Sequence, residues 1–260
     1  MPKRRKPLNK SLENALDLLE LLARCAPMRS GEIALELDLK PNTANNTLRT
    51  LFHRGYVGQD EQGRYHLGPQ CFFIGQEQTL MRTLRQTALP ELLRLSRATG
   101  DNAFFGIESD GRLYMVAHTE GTNVIRVSEP QKWQRQFHCS AAGKVILAER
   151  GLPWLKQVSA GEPLVRRTDK TLVSDRKLDH EIKRIRAVGY AECIDEAADG
   201  IHAIGVPVRR ADGTFLAALS QSFPSFYVTQ GRIDVAQRVE FLQDSARTLS
   251  QRFEDALTSG

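Results

Sequence analysis

One stretch of the sequence brings together side chains that could attack a substrate: residues 137–148, FHCSAAGKVILA. A thiol enzyme would use Cys139 with His138, and a hydrolase would use Ser140 as its nucleophile. Adjacent residues in an extended segment point to opposite faces, however, and no acid that could orient His138 is identifiable. Ser140 also lacks the G-x-S-x-G elbow of serine hydrolases. We therefore predict that the chain is not an enzyme and has no catalytic residue.

The Gly143-Lys144 pair in this stretch suggests a phosphate-binding loop, but the pattern is incomplete. A P-loop has the form G-x-x-x-x-G-K-[ST]. His138 stands where the first glycine is needed, and Val145 follows the lysine where Ser or Thr is needed. The P-loop interpretation therefore fails, and no cofactor is expected.

A third interpretation of the stretch is an anion site at the start of a helix. The amides of Ala141, Ala142 and Gly143 would lie at a helix N-terminus, where free N–H groups and the helix dipole favour a carboxylate. Their small side chains would let a ligand approach closely. Tight packing of small residues, with no ligand, is the alternative.

Ser220 and Ser222 form a second candidate pair. They alternate on FLAALSQS, residues 215–222, so they share one face of a predicted strand. Their hydroxyls could bind a ligand, or the face could simply meet water.

A cluster of possible metal ligands lies a little earlier in the chain. Cys193, Asp195 and Glu196 follow a predicted strand, and His202 is close by. These residue types bind transition metals. Their spacing matches no closed site, so we expect a solvated rim and no metal.

A helix near the N-terminus carries side chains of the kind that read DNA bases. Residues 41–57 are PNTANNTLRTLFHRGYV, with apolar residues at helical spacing. At about 100° per residue, the buried side is predicted to hold Ala44, Leu48, Leu51 and Phe52. The opposite, acid-free side holds Asn42, Asn46, Arg49 and His53, with Thr43 and Thr50 at one edge and Asn45 at the other. Asn can bond adenine and Arg can bond guanine, so we predict that these residues contact DNA. A plain solvated face is the alternative.

The elements around this helix have the order of a winged helix-turn-helix, which we assign to residues 1–67. Ser11 and Ser30 are expected to cap the first two helices. Pro41 is expected to begin the third helix and Gly55 to end it.

A hairpin follows, with its turn at Gly63, and Arg64 is placed at its tip to reach a minor groove or its phosphates. The first ten residues are basic and free of acids. This arm, residues 1–10, would either lie on phosphates or remain a solvated end.

The rest of the chain predicts a linker and an α+β domain. Residues 68–87 are interpreted as a linker helix, although this stretch could belong to the second domain. Another helix is expected over 90–99, and the second domain covers 88–260. Its expected strands are NAFFGI, RLYMVAHT, VIRVS, GYAEC, AIGVPV and FLAALSQS, and a long amphipathic helix is expected over 230–256.

The composition limits which partners and which cellular compartment are expected. The 260 residues are 41% hydrophobic and carry a formal net charge of +5, a mild tilt toward anionic partners. No apolar run is long enough for a membrane span, and no apolar signal region follows the basic start. The four cysteines are scattered, with no metal or disulfide spacing. We expect a cytoplasmic protein without a membrane partner.

The segments in this order resemble IclR-type bacterial transcriptional regulators over nearly the whole chain. The matching segments are SLENALDLLELLA, GEIALELDL, LRTLFHRGYV, GRYHLGP, LPELLRLSRATG, HCSAAGKVILA, IRAVGYAECIDEAADGI, AIGVPVRRADGTFLAALSQSFP and SARTLSQRF. The resemblance implies a winged helix-turn-helix, a linker helix and a C-terminal GAF-like effector domain. It also implies dimers, often paired into tetramers, and palindromic operators. The ligand would be a small organic acid that shifts the affinity for DNA or the recruitment of RNA polymerase.

Carried over by position, the recognition helix is 42–54. The effector pocket would use Ala141, Ala142 and Gly143, the segment 193–196 with Cys193 and Asp195, and Ser220 with Ser222. The family often has Lys-Ser-Thr at residues 42–44 and a ring or Arg at residues 45–46. It also often has Cys at Ala203 and an acid near Cys193. Operator and ligand therefore cannot be borrowed from relatives.

We predict a ligand-responsive, DNA-binding transcriptional regulator, either repressor or activator. The alternative is a small-molecule sensor whose N-terminal domain contacts protein rather than DNA.

Overall fold

The structure, a computed structural model, describes residues 9–76, 79–125, 127 and 136–258. The chain divides into two compact units, with the boundary between Thr79 and Leu80. Residues 68–87, the predicted linker, hold helix α4, Pro69–Gln76, and the first part of a longer helix, α5, Thr79–Thr99. Most of the predicted basic arm, residues 1–8, lies outside the described residues.

The first unit contains the three helices and the hairpin that the sequence predicts. The two short strands pair antiparallel, from Val57 opposite Leu67 to Gln59 opposite Tyr65. Before α4, the elements are α1 Lys10–Cys25, α2 Ser30–Glu36, α3 Pro41–His53, β1 Val57–Gln59 and β2 Tyr65–Leu67.

The caps of the first two helices differ from the prediction. Asn9 caps α1 in place of Ser11, because its Oδ1 accepts hydrogen bonds from the amides of Ser11 and the next residue at 3.1 and 3.3 Å. Helix α2 begins at Ser30 itself, and the Glu32 carboxylate accepts from the Arg29 N–H at 2.6 Å. At α1 the upstream Asn9 accepts from the free amides, and at α2 Glu32 accepts from the amide that precedes the helix. Neither predicted serine is therefore needed as a cap.

The start and end of α3 are as predicted. Pro41 is its first residue, and Gly55, with φ 74°, follows its end. Apolar side chains of the three helices and of β1 form the core of the unit. Its most buried members are Leu18, Leu21, Leu22, Ile33, Leu48 and Val57.

The second unit is built on a five-stranded antiparallel sheet in the order β4-β3-β7-β6-β5. Its strands are β3 Asn102–Ser109, β4 Arg112–Thr119, β5 Ala191–Ile194, β6 Ile201–Arg209 and β7 Phe215–Pro224. Its helices after α5 are α6 Ala141–Arg150, α7 Leu152–Val158, α8 Asp175–Val188, α9 Phe226–Thr229 and α10 Val235–Thr258.

Helices cover both faces of this sheet, so alternate strand residues enter two different cores. On one face Phe105 and Leu219 pack with Leu92 of α5 and Phe253 of α10. On the other face Ala218 and its neighbours pack with apolar residues of α6 and α8. The α+β prediction is confirmed, and the second face is the one that carries the candidate pocket.

Some predicted elements were wrong. No helix starts at Pro90, because α5 runs through it from residue 79 to residue 99. The buried residues Ala88 and Leu92 on either side of the proline give the helix a packed face that outweighs the lost hydrogen bond. The last helix begins at Val235 rather than near 230, since Gly231 has φ 69°.

The strand expected over 124–128 is not seen at its described residues, 124, 125 and 127. Residues 126 and 128 lie outside the described part of the chain. No helix among the described residues combines the length and apolar character needed to cross a membrane.

Candidate functional site

Helix α3 presents one polar face to solvent. The apolar residues Ala44, Leu48 and Leu51 are buried in the core of the first unit. On the other side, most of the predicted DNA contacts are exposed and only Thr43 is half-buried. The exposed residues are Asn42, Asn45, Asn46, Arg49, Thr50 and His53. The structure therefore brings all seven predicted residues of this helix onto one acid-free surface.

The amide and guanidinium side chains on this surface that could contact DNA bases make no hydrogen bonds to the described part of the protein. The Thr50 hydroxyl donates to the Asn46 carbonyl at 3.0 Å, which uses the Asn46 backbone and leaves its amide side chain alone. Among the described residues, no partner meets the side chains of Asn42, Asn46 or Arg49. Their donors and acceptors are therefore open to an external partner.

Phe52 was predicted on the buried side of α3, and this was wrong. Its side chain is 51% exposed, whereas Leu48 is fully buried. Each step of four residues along a helix turns the position by about 40°. Phe52 therefore lies roughly 80° around the helix axis from Ala44. At that angle its side chain falls outside the face of α3 that packs against the core.

The hairpin places Arg64 beside its turn rather than at the tip. The exposed tip residues are Glu61 and Gln62. The Arg64 Nε donates to Asp60 Oδ2 at 2.8 Å, and its backbone N–H donates to Asp60 Oδ1 at 2.8 Å. These bonds, the backbone one first, hold the pKa of Asp60 below its ordinary value. Arg64 is half-buried and paired, so it is not a free cation on this wing.

A small cavity lies where the start of α6 meets the second face of the sheet. Its volume is about 20 Å³, which is room for one water molecule. Four predicted effector residues line it: Ala141, Ala142, Cys193 and Ser220. The other lining residues are Leu113, Met115, Ser140, Ala197, Ile201 and Ala203. Leu113 and Met115 were not predicted, because only the pairing of β4 with β3 brings them to this face.

At the start of α6, two residues with free amides line this cavity, not three. Ser140 caps the helix, and its Oγ accepts from the Gly143 N–H at 3.1 Å. Among the described residues, none accepts a hydrogen bond from the N–H of Ala141 or Ala142. A Cβ on Gly143 would meet the Gln136 carbonyl oxygen at 2.5 Å. Close packing therefore explains Gly143, and the predicted anion contact is restricted to the two alanine amides.

Ser220 and Ser222 share a face of β7, as predicted, but only Ser220 lines the cavity. Ser220 is 5% exposed, and its hydroxyl has no partner among the described residues. The buried Ser222 hydroxyl also has none. Ser222 pairs across the sheet with Ala203, a lining residue, so the two side chains lie on the same face of the sheet.

Asp195 was predicted to bind the effector, but its carboxylate is used inside the protein. Its Oδ1 accepts from the Gly200 N–H at 3.0 Å and the Ser225 hydroxyl at 2.8 Å. Its Oδ2 pairs with Lys170 at 2.6 Å. Burial acts to raise the pKa of Asp195, and the bonds from Lys170, Ser225 and Gly200 outweigh it, so the net shift is downward. Asp195 closes the turn after β5 and does not line the cavity.

The alternative chemistries find no support in the geometry. The described residues contain no group of three His, Cys, Asp or Glu side chains that could hold a metal. His202 instead pairs with Glu192, with 2.8 Å between Nε2 and Oε1. Burial raises the pKa of Cys139 to about 11, so its thiol stays protonated at neutral pH. Ser140 serves as a helix cap.

Lys144 is the main residue that sequence reasoning missed. It is 1% exposed, and its ammonium donates to the Glu196 carboxylate, to the Glu192 carbonyl at 3.0 Å and to Glu181 at 3.3 Å. Burial raises the pKa of Glu196 although Lys144 acts in the opposite direction. The sequence signal was a lysine in an apolar helix, which the failed P-loop pattern left without a role.

The comparisons with known proteins agree with this arrangement. The IclR helix-turn-helix domain model matches residues 11–61, and the model of the bacterial transcriptional regulator IclR C-terminal domain matches residues 77–251. The regulator BhcR of Paracoccus denitrificans is 31% identical over 93% of this chain and 86% of its own. The repressor AllR of Escherichia coli K12 is 27% identical over 92% and 89%.

Solved structures share the fold. An IclR regulator from Alicyclobacillus acidocaldarius has a TM-score of 0.72 and 26% identity, covering 95% of this chain and 99% of its own. An IclR homologue from Microbacterium hydrocarbonoxydans, complexed with 4-hydroxybenzoate, has a TM-score of 0.76 at 19% identity over 94% and 99%. The curated relatives are named as regulators or repressors, in agreement with the prediction that this chain is not an enzyme. The chain belongs to the IclR family of bacterial transcriptional regulators, ligand-responsive proteins with a DNA-binding helix-turn-helix domain and a C-terminal effector domain.

Proposed function

We propose that this regulator reads its operator with the exposed face of α3 in the major groove and senses a small organic acid in the cavity at the start of α6. The observation that carries the proposal is the acid-free face of α3, whose Asn42, Asn46 and Arg49 side chains have no partner among the described residues. Unpaired amide and guanidinium groups match the edges of adenine and guanine. Thr43, Thr50 and His53 at the same surface would contact phosphates or thymine methyl groups.

The acid site is supported by three groups that converge on one cavity. The free amides of Ala141 and Ala142 lie at the positive end of α6, which favours a carboxylate. The Ser220 hydroxyl, buried and unpartnered among the described residues, lines the same space. The homologue crystallised with 4-hydroxybenzoate shows that this fold can be isolated with an organic acid.

Further partners follow from the same proposal. We propose domains at 1–67 and 88–260 joined by residues 68–87, and a dimer, or a dimer of dimers, that binds a palindromic operator. Effector binding would favour one of two spacings of the paired recognition helices. If the regulator activates transcription, RNA polymerase would be its protein partner. The protein would work in the cytoplasm, which holds the DNA.

Capture of genomic DNA fragments by the full-length protein at fixed physiological salt tests the main proposal. We expect a few fragments to be retained with at least about a thousandfold preference over random duplex. Addition of the organic acid should change that preference. Equal retention of all fragments would overturn operator binding and favour an N-terminal domain that contacts protein.

A further inference from the structure

The effector cavity is polar at one end only. Its polar groups are the free amides of Ala141 and Ala142 and the hydroxyls of Ser140 and Ser220. Apolar side chains and one thiol form the remaining wall, and no charged side chain is among the described residues that line it. These residues are Leu113, Met115, Cys193, Ala197, Ile201 and Ala203.

We propose that the effector is a monocarboxylic acid with an uncharged, apolar body, and that Met115 sets the size of body that is accepted. This inference rests on the proposed acid site and names the class of its ligand. The carboxylate would lie on the amides of Ala141 and Ala142, with the Ser220 hydroxyl donating to it. The body would lie against Leu113, Met115 and Ile201.

The polar groups near the cavity support one carboxylate and little more. The Ser140 Oγ is occupied, because it accepts from the Gly143 N–H and donates to the Gln136 carbonyl at 2.9 Å. The Cys193 thiol donates to the Cys139 carbonyl at 2.9 Å, and burial raises the pKa of Cys193 to about 12, so it carries no charge.

Apart from the unpartnered Ser222 hydroxyl, which does not line the cavity, two of the next polar side chains around the site are also taken. Asn102, opposite Ser222 in the sheet, donates to the Val127 carbonyl at 2.5 Å and accepts from the Gly121 N–H at 2.7 Å. The buried Lys144 is bound to Glu196 and the Glu192 carbonyl. A second carboxylate or a row of hydroxyls on the ligand would therefore lie against apolar atoms without partners. Each unpaired group should weaken binding on the order of tenfold.

Met115 is the lining residue best able to make room. The cavity of about 20 Å³ is too small for a hydrocarbon body as it stands. Met115 is 41% exposed on the edge strand β4, whereas Leu113 is 4% exposed. A Cβ on Gly106, the cross-strand partner of Met115, would lie 3.0 Å from Leu113 and 3.9 Å from the Met115 sulfur. Glycine there leaves space for both side chains, and the flexible thioether can swing outward.

Isothermal titration of the full-length protein with matched acids tests this inference. We expect benzoate and hexanoate to bind at least tenfold more tightly than gluconate and succinate. Ser220→Ala should weaken both apolar acids by at least about tenfold, through loss of one hydrogen bond to a charged group. Met115→Ala should improve 4-phenylbutyrate relative to hexanoate, and Met115→Lys should improve succinate relative to hexanoate.

Tyr114→Ala is the matched control, because Tyr114 is the exposed neighbour of Met115 on β4 and does not line the cavity. It should leave the ranking of acids unchanged. Tighter binding of gluconate or succinate, no binding of any acid, or a ranking unaffected by both Met115 variants would overturn the inference. Operator binding without ligand is measured in parallel, so failure of DNA recognition would be seen separately from failure of the ligand class.

Discussion

The Lys144 ammonium donates to the backbone carbonyl of Glu192 at 3.0 Å, and this buried hydrogen bond connects helix α6 to strand β5. The same ammonium pairs with Glu196, whose carboxylate is largely buried. Helix α6 supplies the free amides of the proposed acid site, and β5 supplies Cys193 in its wall. A buried cation thus holds two walls of the cavity together without lining it.

Lys144→Met should destabilise the protein strongly. It leaves Glu196 buried without its cation, and breaking a buried pair in this way costs about 3–5 kcal/mol. Because burial already raises the pKa of Glu196, protonation can relieve the unpaired charge. The loss in unfolding free energy, measured in urea, should therefore be smaller at pH 5 than at pH 8.

Adding Glu196→Gln to Lys144→Met should restore part of the missing stability, since the unpaired charge is removed. Lys183→Met is the matched control, because Lys183 pairs with Asp179 on the surface at 2.7 Å. Its effect should stay within about 0.5 kcal/mol. Equal effects of the buried and surface substitutions would contradict a stabilising role for the buried pair.

Asp195→Asn should remove a contribution to stability that depends on pH. Bonds from Lys170, Ser225 and Gly200 lower the pKa of Asp195 in the folded protein below 3.8, against the opposing effect of burial. A lowered folded pKa means that the contribution is fully present above pH 3.8 and is lost as pH falls through the folded value.

The Asn variant should therefore be less stable than the parent at pH 7, by about 1 kcal/mol after allowance for solvent screening. The two proteins should converge as pH falls from 3.8 through the lowered pKa of Asp195 in the folded protein. Parallel urea titrations across this range measure the difference. A constant gap down to pH 2 would show that Asp195 acts through its shape and not its charge.

The sequence predicted the elements whose causes are local. Pro41 at the start of α3 and Gly55 after its end depend on neighbours in the chain, and each is found in the structure. The pocket depends on contacts between distant segments. Lys144 meets Glu196 only after folding, and Asp195 is taken up by Lys170 and Ser225. Sequence periodicity does not predict contacts between distant residues. A candidate site residue could therefore be identified by its type, but the residue that it binds in the folded protein could not.

Asn46→Ala and Arg49→Ala should each weaken operator binding by about 1–3 kcal/mol and relax base preference at one position of each half-site. Their side chains are exposed on α3 and unpartnered among the described residues, so removal should not disturb the fold. Gel-shift titration at fixed salt measures the affinity. Arg97→Ala, an exposed arginine of α5, is the charge-matched control and should leave it unchanged. Unaltered operator affinity in both α3 variants would remove this face from the interface.

Neutralising the basic arm should affect salt dependence more than sequence preference. Lys3, Arg4, Arg5 and Lys6 are changed to Gln, because truncation would endanger Asn9, which caps α1. For every phosphate that the arm no longer neutralises, the slope of log affinity against log salt should fall by about 0.9. An unchanged slope, measured between 50 and 200 mM salt, would show that the arm is a solvated end.

Asp60→Asn should tighten binding to all duplexes if the hairpin lies near phosphates. The substitution removes an anion from the wing and releases the Arg64 guanidinium, which now donates to Asp60 Oδ2 at 2.8 Å. An Asn side-chain oxygen can still accept from the amides of Gln62 and Arg64, so the turn is preserved. The affinity at low salt should rise several-fold, and the salt slope should steepen by up to about 0.9 as one more phosphate is engaged.

The double variant Asp60→Asn, Arg64→Gln tests whether Arg64 causes the gain. It should lose the added affinity and return the salt slope to its parent value. Asp17→Asn, which removes an exposed acid from α1, controls for the change in net charge. A gain of equal size in Asp17→Asn would assign the effect to net charge alone. Because the free guanidinium is the group that differs between the Asp60 single and double variants, their comparison isolates the contact that Asp60 now prevents.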